Sequence, residues 1–265
     1  MSNFLSTYFD EARLFFRNFT EWFLLLLIFT IFFFLFGLKE VVFFERVFML
    51  PLPTNPSFAA DFFNQMVVDL VPHEVLLVVT GPLAAFIAQI KIALLLAFVF
   101  TLPVFLYRFV HYLSPALRGR EKRTIFAVAF LSALLFALGG LFSYLVLIPP
   151  TFDILYVYTG AIDAAPFFTV NEFVGLVLSF VLATGILFLL PVVQVLLTRL
   201  GIVSPQFWRQ QWRYALVVFL VVSAIITPDG SGVTMVFLSL PMTGLYLIGS
   251  AVAQPMRSGK WKVES

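Results

Sequence analysis

Cysteine is missing altogether from this 265-residue chain, histidine occurs only at His73 and His111, and charged residues make up just 11%. The first absence removes disulfides, thiolate metal sites and cysteine nucleophiles; the second leaves little imidazole for acid–base or metal work. The HExxH, GxSxG and GxxxxGKS/T patterns are missing too, so zinc hydrolysis, an elbow-borne serine nucleophile and a phosphate loop find no support. No catalytic residue, metal ligand or cofactor is expected, and the chain reads as a non-enzyme. A formal net charge of +2 gives no reason to expect a nucleic-acid partner.

Apolar residues, in contrast, make up 62% of the chain, with 35 phenylalanines, far outside soluble usage and fit for a bilayer. The run "WFLLLLIFTIFFFLFGL" from Trp22 to Leu38 is longer than a secretory core and is followed by "KEVVFFER", not by a small-residue cleavage site. It reads as a retained span. Crossing roughly 30 Å of hydrocarbon takes about 20 residues of helix. Six stretches qualify or nearly do: residues 22–38, 83–107, 125–148, 173–198, 214–226 and 233–252. Hydrocarbon offers the backbone no partner, so these segments are forced to be helical.

Charge orients them. With six crossings, 13 of the 16 bases fall on the side holding both termini, while nine of the 14 acids, from Glu40 to Asp229, fall opposite. By the positive-inside rule both termini are cytoplasmic. The expected fold is an all-α membrane protein, one domain over residues 1–265, with six transmembrane helices, multi-pass in the cell membrane. The fifth span, roughly 20 Å of helix, falls short of the hydrocarbon thickness. Pro103, Pro191 and Pro241 each invite a bend, so the bundle should be concave. Short amphipathic helices are expected in the outer loops: one over "FAADFFNQMVVDLV", with Phe58, Phe62, Met66 and Leu70 on its apolar face, and one in "TFDILYVY", after a hard stop at Pro149 and Pro150. An arm from Met1 to Phe19 should ride the cytoplasmic interface.

An ion-coupled small-solute transporter, the alternative reading, would keep an ionisable group at mid-membrane, and no span has one at its centre. The deepest polar side chains are Thr184 and Gln194, the latter an amide near the inner interface or bonded to a neighbouring helix. His111 reads as an interfacial aromatic. What remains is recognition at the cytoplasmic face. In "ALRGREKRT" five of the six residues from Arg118 to Arg123 are charged, and Glu121 sits among four bases. The bases anchor the loop; the glutamate does not contribute to that. Glu121, and Glu11 in the arm, either pair with Arg13, Arg120 or Lys122 at the surface or take an incoming guanidinium through two parallel charge-assisted hydrogen bonds.

Taken in order, several segments resemble the TatC family, the polytopic core of the twin-arginine protein translocase. They are "TGPLAAFIAQIK", "LPVFLYRFVHYLSPALRGREKR", "GGLFSYLVLIPPTFDIL", "FLLPVVQVLLTRLGIVSP", "WRYALVVFLVVSAIITPDGSG" and "LPMTGLYLIG". The resemblance covers nearly the whole chain. It implies a receptor for folded cargo proteins whose signal peptides carry paired arginines, with transport powered by the protonmotive force. It also implies small single-span TatA/TatB-type partner subunits, membrane lipids around the bundle and an oligomeric complex. Carried over by motif, the signal-peptide site is Glu121 and Glu11, with Tyr112 and Arg13 beside them; Pro51, Pro103, Pro115 and Asp229 are further family-matched positions.

The chain departs from the family pattern in places. Its arm reads "EAR" for the usual "ELR", and Leu189, Leu247 and Ala84 stand where the family has acids. With Leu189 in the fourth span, Gln194 becomes the candidate contact for partner subunits. The turn "TPDGSG" has one proline where many members have two and lacks the glutamine that often follows, which suggests an archaeal-type or divergent member.

Overall fold

The computed structural model describes residues 2–43, 46–71, 75–113, 122–153, 167–226 and 232–253; within these, residues 2–18, 40–43, 46–49, 111–113, 122–125, 167 and 233 are described by backbone alone. Helices dominate. Helix α1 (Ser2–Leu35) leads into a hairpin of β1 (Phe36–Phe43) and β2 (Arg46–Pro53), then α2 (Phe58–Leu70) and the short β3 (Leu76–Val78). Helix α3 (Pro82–Leu113) and α4 (Lys122–Phe142) follow, the latter running on through a π turn (Ser143–Leu147). After β4 (Phe167–Thr169) come α5 (Val170–Phe188), α6 (Leu190–Arg199), α7 (Pro205–Gln210), α8 (Trp212–Ile226) and α9 (Val233–Val252).

Among the described residues four helices are long and apolar enough to cross a membrane: Pro82–Val110, Phe126–Asp153, Val170–Arg199 and Thr234–Val252. Phe19–Leu35 and Trp212–Ile226 are apolar but shorter. Large apolar side chains face outward along the bundle, Phe126, Phe130, Leu145 and Ile225 among them. A surface this greasy suits lipid, not water.

Several expectations need correcting. The N-terminal arm is no separate helix: no proline or glycine interrupts residues 2–35, and one 34-residue helix, about 50 Å long, runs through arm and first span. That span also stops at Leu35, three residues early. Gly37 lies against the Pro56 carbonyl, where a Cβ would collide, and the chain turns there into the β1–β2 hairpin, in which Leu38 pairs with Pro51. Pro51 and Pro53 donate no ladder bond, which a two-stranded edge tolerates. Nor do Pro149 and Pro150 stop their helix, which continues helical to Asp153. The preceding π turn, in which Ile148 N–H reaches the Ser143 carbonyl, widens the coil and eases the prolyl rings past carbonyls 145 and 146. Beyond Asp153, the rest of "TFDILYVY" lies outside the described residues.

The outer-loop helix forms as expected over Phe58–Leu70, capped by the Ser57 hydroxyl, which accepts from Ala60 N–H. Its buried face is Ala59, Ala60, Met66 and Leu70, with Phe58 and Phe62 only half-buried. The packed face is thus turned toward the alanines and away from the phenylalanines. Parallel pairing of β3 with β4 joins two connections about ninety residues apart, Leu76 opposite Phe167. Thr169 then caps α5 in a capping box with Glu172.

The main core runs from Met66 of α2 through Ile92 of α3, Phe152, and Phe173 and Phe180 of α5 to Leu238 and Met242 of α9. Helices α4 and α5 interlock through two glycines. A Cβ on Gly185 would meet the Phe136 ring at 2.7 Å, and one on Gly139 would meet Phe188 at 2.8 Å, so each helix seats the other's phenylalanine. Of the prolines expected to bend their spans, only Pro191 marks a break: α5 ends and α6 begins at Leu189, just ahead of it, whereas Pro103 and Pro241 lie within continuous helices.

Candidate functional site

Helices α1 and α3 run antiparallel, Trp22 meeting Phe98 and Phe105 while Phe34 meets Phe86. This separates two ends of the bundle. The cap end holds the hairpin, α2, β3, β4 and the first turn of α5. The arm end holds the first half of α1, the close of α3 and the start of α4.

At the cap end, polar bonds tie the connections to the spans. Tyr144 donates to Asp69 of α2 at 2.7 Å, Gln65 donates to the same carboxylate at 2.8 Å, and Lys91 of α3 donates to Asn171 of α5 at 2.6 Å.

At the arm end the last shared level of α1 and α3 is a charged and aromatic clasp. Arg108 Nη1 reaches Glu21 Oε2 at 2.6 Å. Beside it, ring centroids of Trp22 and Phe105 lie 4.6 Å apart and those of Phe19 and Trp22 lie 5.5 Å apart, with Trp22 buried. From here α1 extends back through Arg13 and Glu11, eight and ten residues before Glu21, and α3 extends forward to Tyr112, one turn past Arg108. Glu11, Arg13 and Tyr112 thus lie on two neighbouring helices, on the stretches that run toward the arm end. Glu121 and Pro115 lie outside the described residues, as do Asp229 and His73. Exposed Arg199, Arg209 and Arg213 also belong to elements at this end, Arg213 lying 5.6 Å over the ring of Trp212.

The second feature lies between α6 and α9. Gln194 is 1% exposed, and neither its Oε1 nor its Nε2 has a hydrogen-bond partner among the described residues. Its amide rests on Gly249 of α9 in the space a Cβ would need, and the same Cβ would stand 2.8 Å from Pro191 Cα. One turn on, the Thr198 hydroxyl donates to the Gln194 carbonyl, Trp208 Nε1 donates to Thr198 Oγ1 at 3.0 Å, and the Tyr246 hydroxyl donates to the Trp208 carbonyl at 2.8 Å. This chain stitches α6, α7 and α9 together. Leu189 sits half-buried at the α5–α6 joint.

Sequence reasoning passed over Glu21, Trp208 and Tyr246. The available signals were a lone acid bordering an apolar run and amphipathic aromatics that need a polar partner for one end. Among the described residues no cluster of histidine, aspartate and glutamate could hold a metal ion. At the arm end the described side chains thus place a carboxylate, a guanidinium and three aromatic rings together, with Arg199, Arg209 and Arg213 on neighbouring elements.

Known proteins fit this picture. A family model described as "Sec-independent protein translocase protein (TatC)" matches residues 14–241. The Sec-independent protein translocase protein TatC of Cenarchaeum symbiosum is 41% identical over 198 residues, 75% of this chain and 75% of that protein. Its namesake from Aquifex aeolicus is 35% identical over 176 residues, 66% of this chain and 72% of the relative. A crystal structure of the twin arginine translocase receptor TatC superposes with a TM-score of 0.72 at 28% identity, covering 92% of this chain and 97% of the other.

Proposed function

Because the chain belongs to the TatC family of Sec-independent protein translocase proteins, we propose that it is the receptor and scaffold subunit of a twin-arginine translocase, gripping the arginine pair of a signal peptide between Glu11 and Glu121. Arg13 and Tyr112 flank the grip. Two carboxylates suit two guanidiniums, because each can accept a pair of parallel hydrogen bonds that an ammonium cannot make. The neighbouring bases hold the carboxylates ionised and give way to the ligand.

In this reading six helices cross the cell membrane with both termini in the cytoplasm, so the arm end faces folded cargo. Single-span TatA/TatB-type subunits gather against the bundle's concave face, and the protonmotive force drives export; Gln194, buried on Gly249, acts on them through the α6–α9 packing rather than by direct touch. What supports the reading is the antiparallel α1–α3 pairing: the half of α1 that bears Glu11 extends from the same end at which α3 closes at Leu113, the segment with Glu121 following in sequence.

Its test is capture of an immobilised twin-arginine signal peptide by the purified chain. Wild type should be retained, a lysine-pair peptide should retain less, and Glu121→Gln should lose most of the signal. Equal retention of Glu121→Gln and wild type removes Glu121 from the site. A single cysteine at position 121, unique in this cysteine-free chain, checks orientation: labelling from the outside would overturn it.

A further inference from the structure

We propose that Glu21 and Arg108 are positioning residues of the recognition face, an ionic clamp that fixes the arm half of α1 against α3 and thereby sets where Glu11 stands relative to Tyr112 and the segment carrying Glu121. The inference rests on reading that face as an arginine-pair receptor and adds to it what holds the two halves in register.

The pair joins side chains 87 residues apart and is the one salt bridge among the described residues. It stands at the arm end of the described α1–α3 contacts, beside the Phe19–Phe105 ring pair. Beyond it α1 projects by ten residues to Glu11, a lever of about 15 Å. A tilt of roughly 10° at the clamp would swing the backbone at Glu11 by about 2–3 Å, whereas a bidentate carboxylate–guanidinium contact tolerates a small fraction of that. The neighbouring rings cannot supply this control alone. Phe19, Trp22 and Phe105 meet in tilted and edge-on arrangements, which hold the helices close but have broad minima and permit sliding. The ion pair adds the directional bond. Elsewhere α1 packs on α2 and the hairpin, at the cap end, with Phe32 and Phe33 on Phe58.

The chain's lack of cysteine makes the test direct. Spin labels at Ser6→Cys and Leu113→Cys report the arm-to-α3 distance by pulsed dipolar spectroscopy, in the full chain. The parent should give one narrow distance. Glu21→Gln and Arg108→Gln should each broaden it and weaken capture of a twin-arginine peptide by about threefold, the scale of a partly exposed ion pair. The charge-exchanged Glu21→Arg/Arg108→Glu protein should recover both the narrow distance and the affinity, which a merely destabilising substitution would not. Single variants that keep the parent's distance distribution, or an exchange that restores nothing, would overturn the clamp. A wild-type chain that captures no such peptide would sink the receptor reading alone; the distance measurement would still decide the clamp.

Discussion

Replacing Gln194 with methionine should make the chain more stable. The amide is 1% exposed and its two polar atoms have no partner among the described residues, and each buried polar atom left unpaired costs about 1–3 kcal/mol. Methionine keeps the unbranched shape and length while removing both atoms. In a micelle the unfolded chain also keeps such an amide short of water, so the net gain should be about 1–2 kcal/mol. For a chain of this size that is a rise in midpoint of roughly 2–8 °C, read by heating detergent-solubilised protein and following the folded peak by fluorescence-detected size exclusion. Gly249→Ala should do the reverse. Its Cβ would stand 2.8 Å from Pro191 Cα, backbone that cannot swing aside, at a cost of about 1–3 kcal/mol. A Gln194→Met protein that melts below wild type would refute the reasoning, since it would mean the amide is already satisfied. Co-purification of single-span subunits adds a functional arm: loss with Gln194→Met at raised stability marks an amide kept for partner assembly, and unchanged recovery removes it from that role.

Two further outcomes follow from packing. Gly185→Ala should destabilise by about 1–2 kcal/mol, because its Cβ meets the buried Phe136 ring at 2.7 Å, and that cost should vanish in a Phe136→Ala background when both are measured in one thermal cycle. Tyr144→Phe should cost about 1 kcal/mol by deleting its bond to Asp69, and should speed hydrogen exchange across Phe58–Leu70 without unfolding it, whereas Met66→Ala, at about 2–5 kcal/mol, should release the helix.

The sequence by itself settled the membrane setting, the approximate placing of the apolar helices and, through the ordered motifs, the family. Those rest on local quantities: a run such as Val233–Val252 must be helical wherever it packs, because lipid cannot satisfy its backbone. Of the proposed receptor site, the residue types and their order could be read, and the structure adds that the helices bearing Glu11 and Tyr112 are neighbours. The tertiary structure alone decided the rest. Glu21 finds Arg108 across 87 residues and Tyr144 finds Asp69 across 75; Phe136 needs Gly185, and Gln194 lies on Gly249. A π turn carries one helix past two prolines, and the arm fuses with the first span. Such pairings depend on which small residue on one helix leaves room for which large one on another. No periodicity within a single segment encodes that, since apolar faces look alike to lipid and to each other.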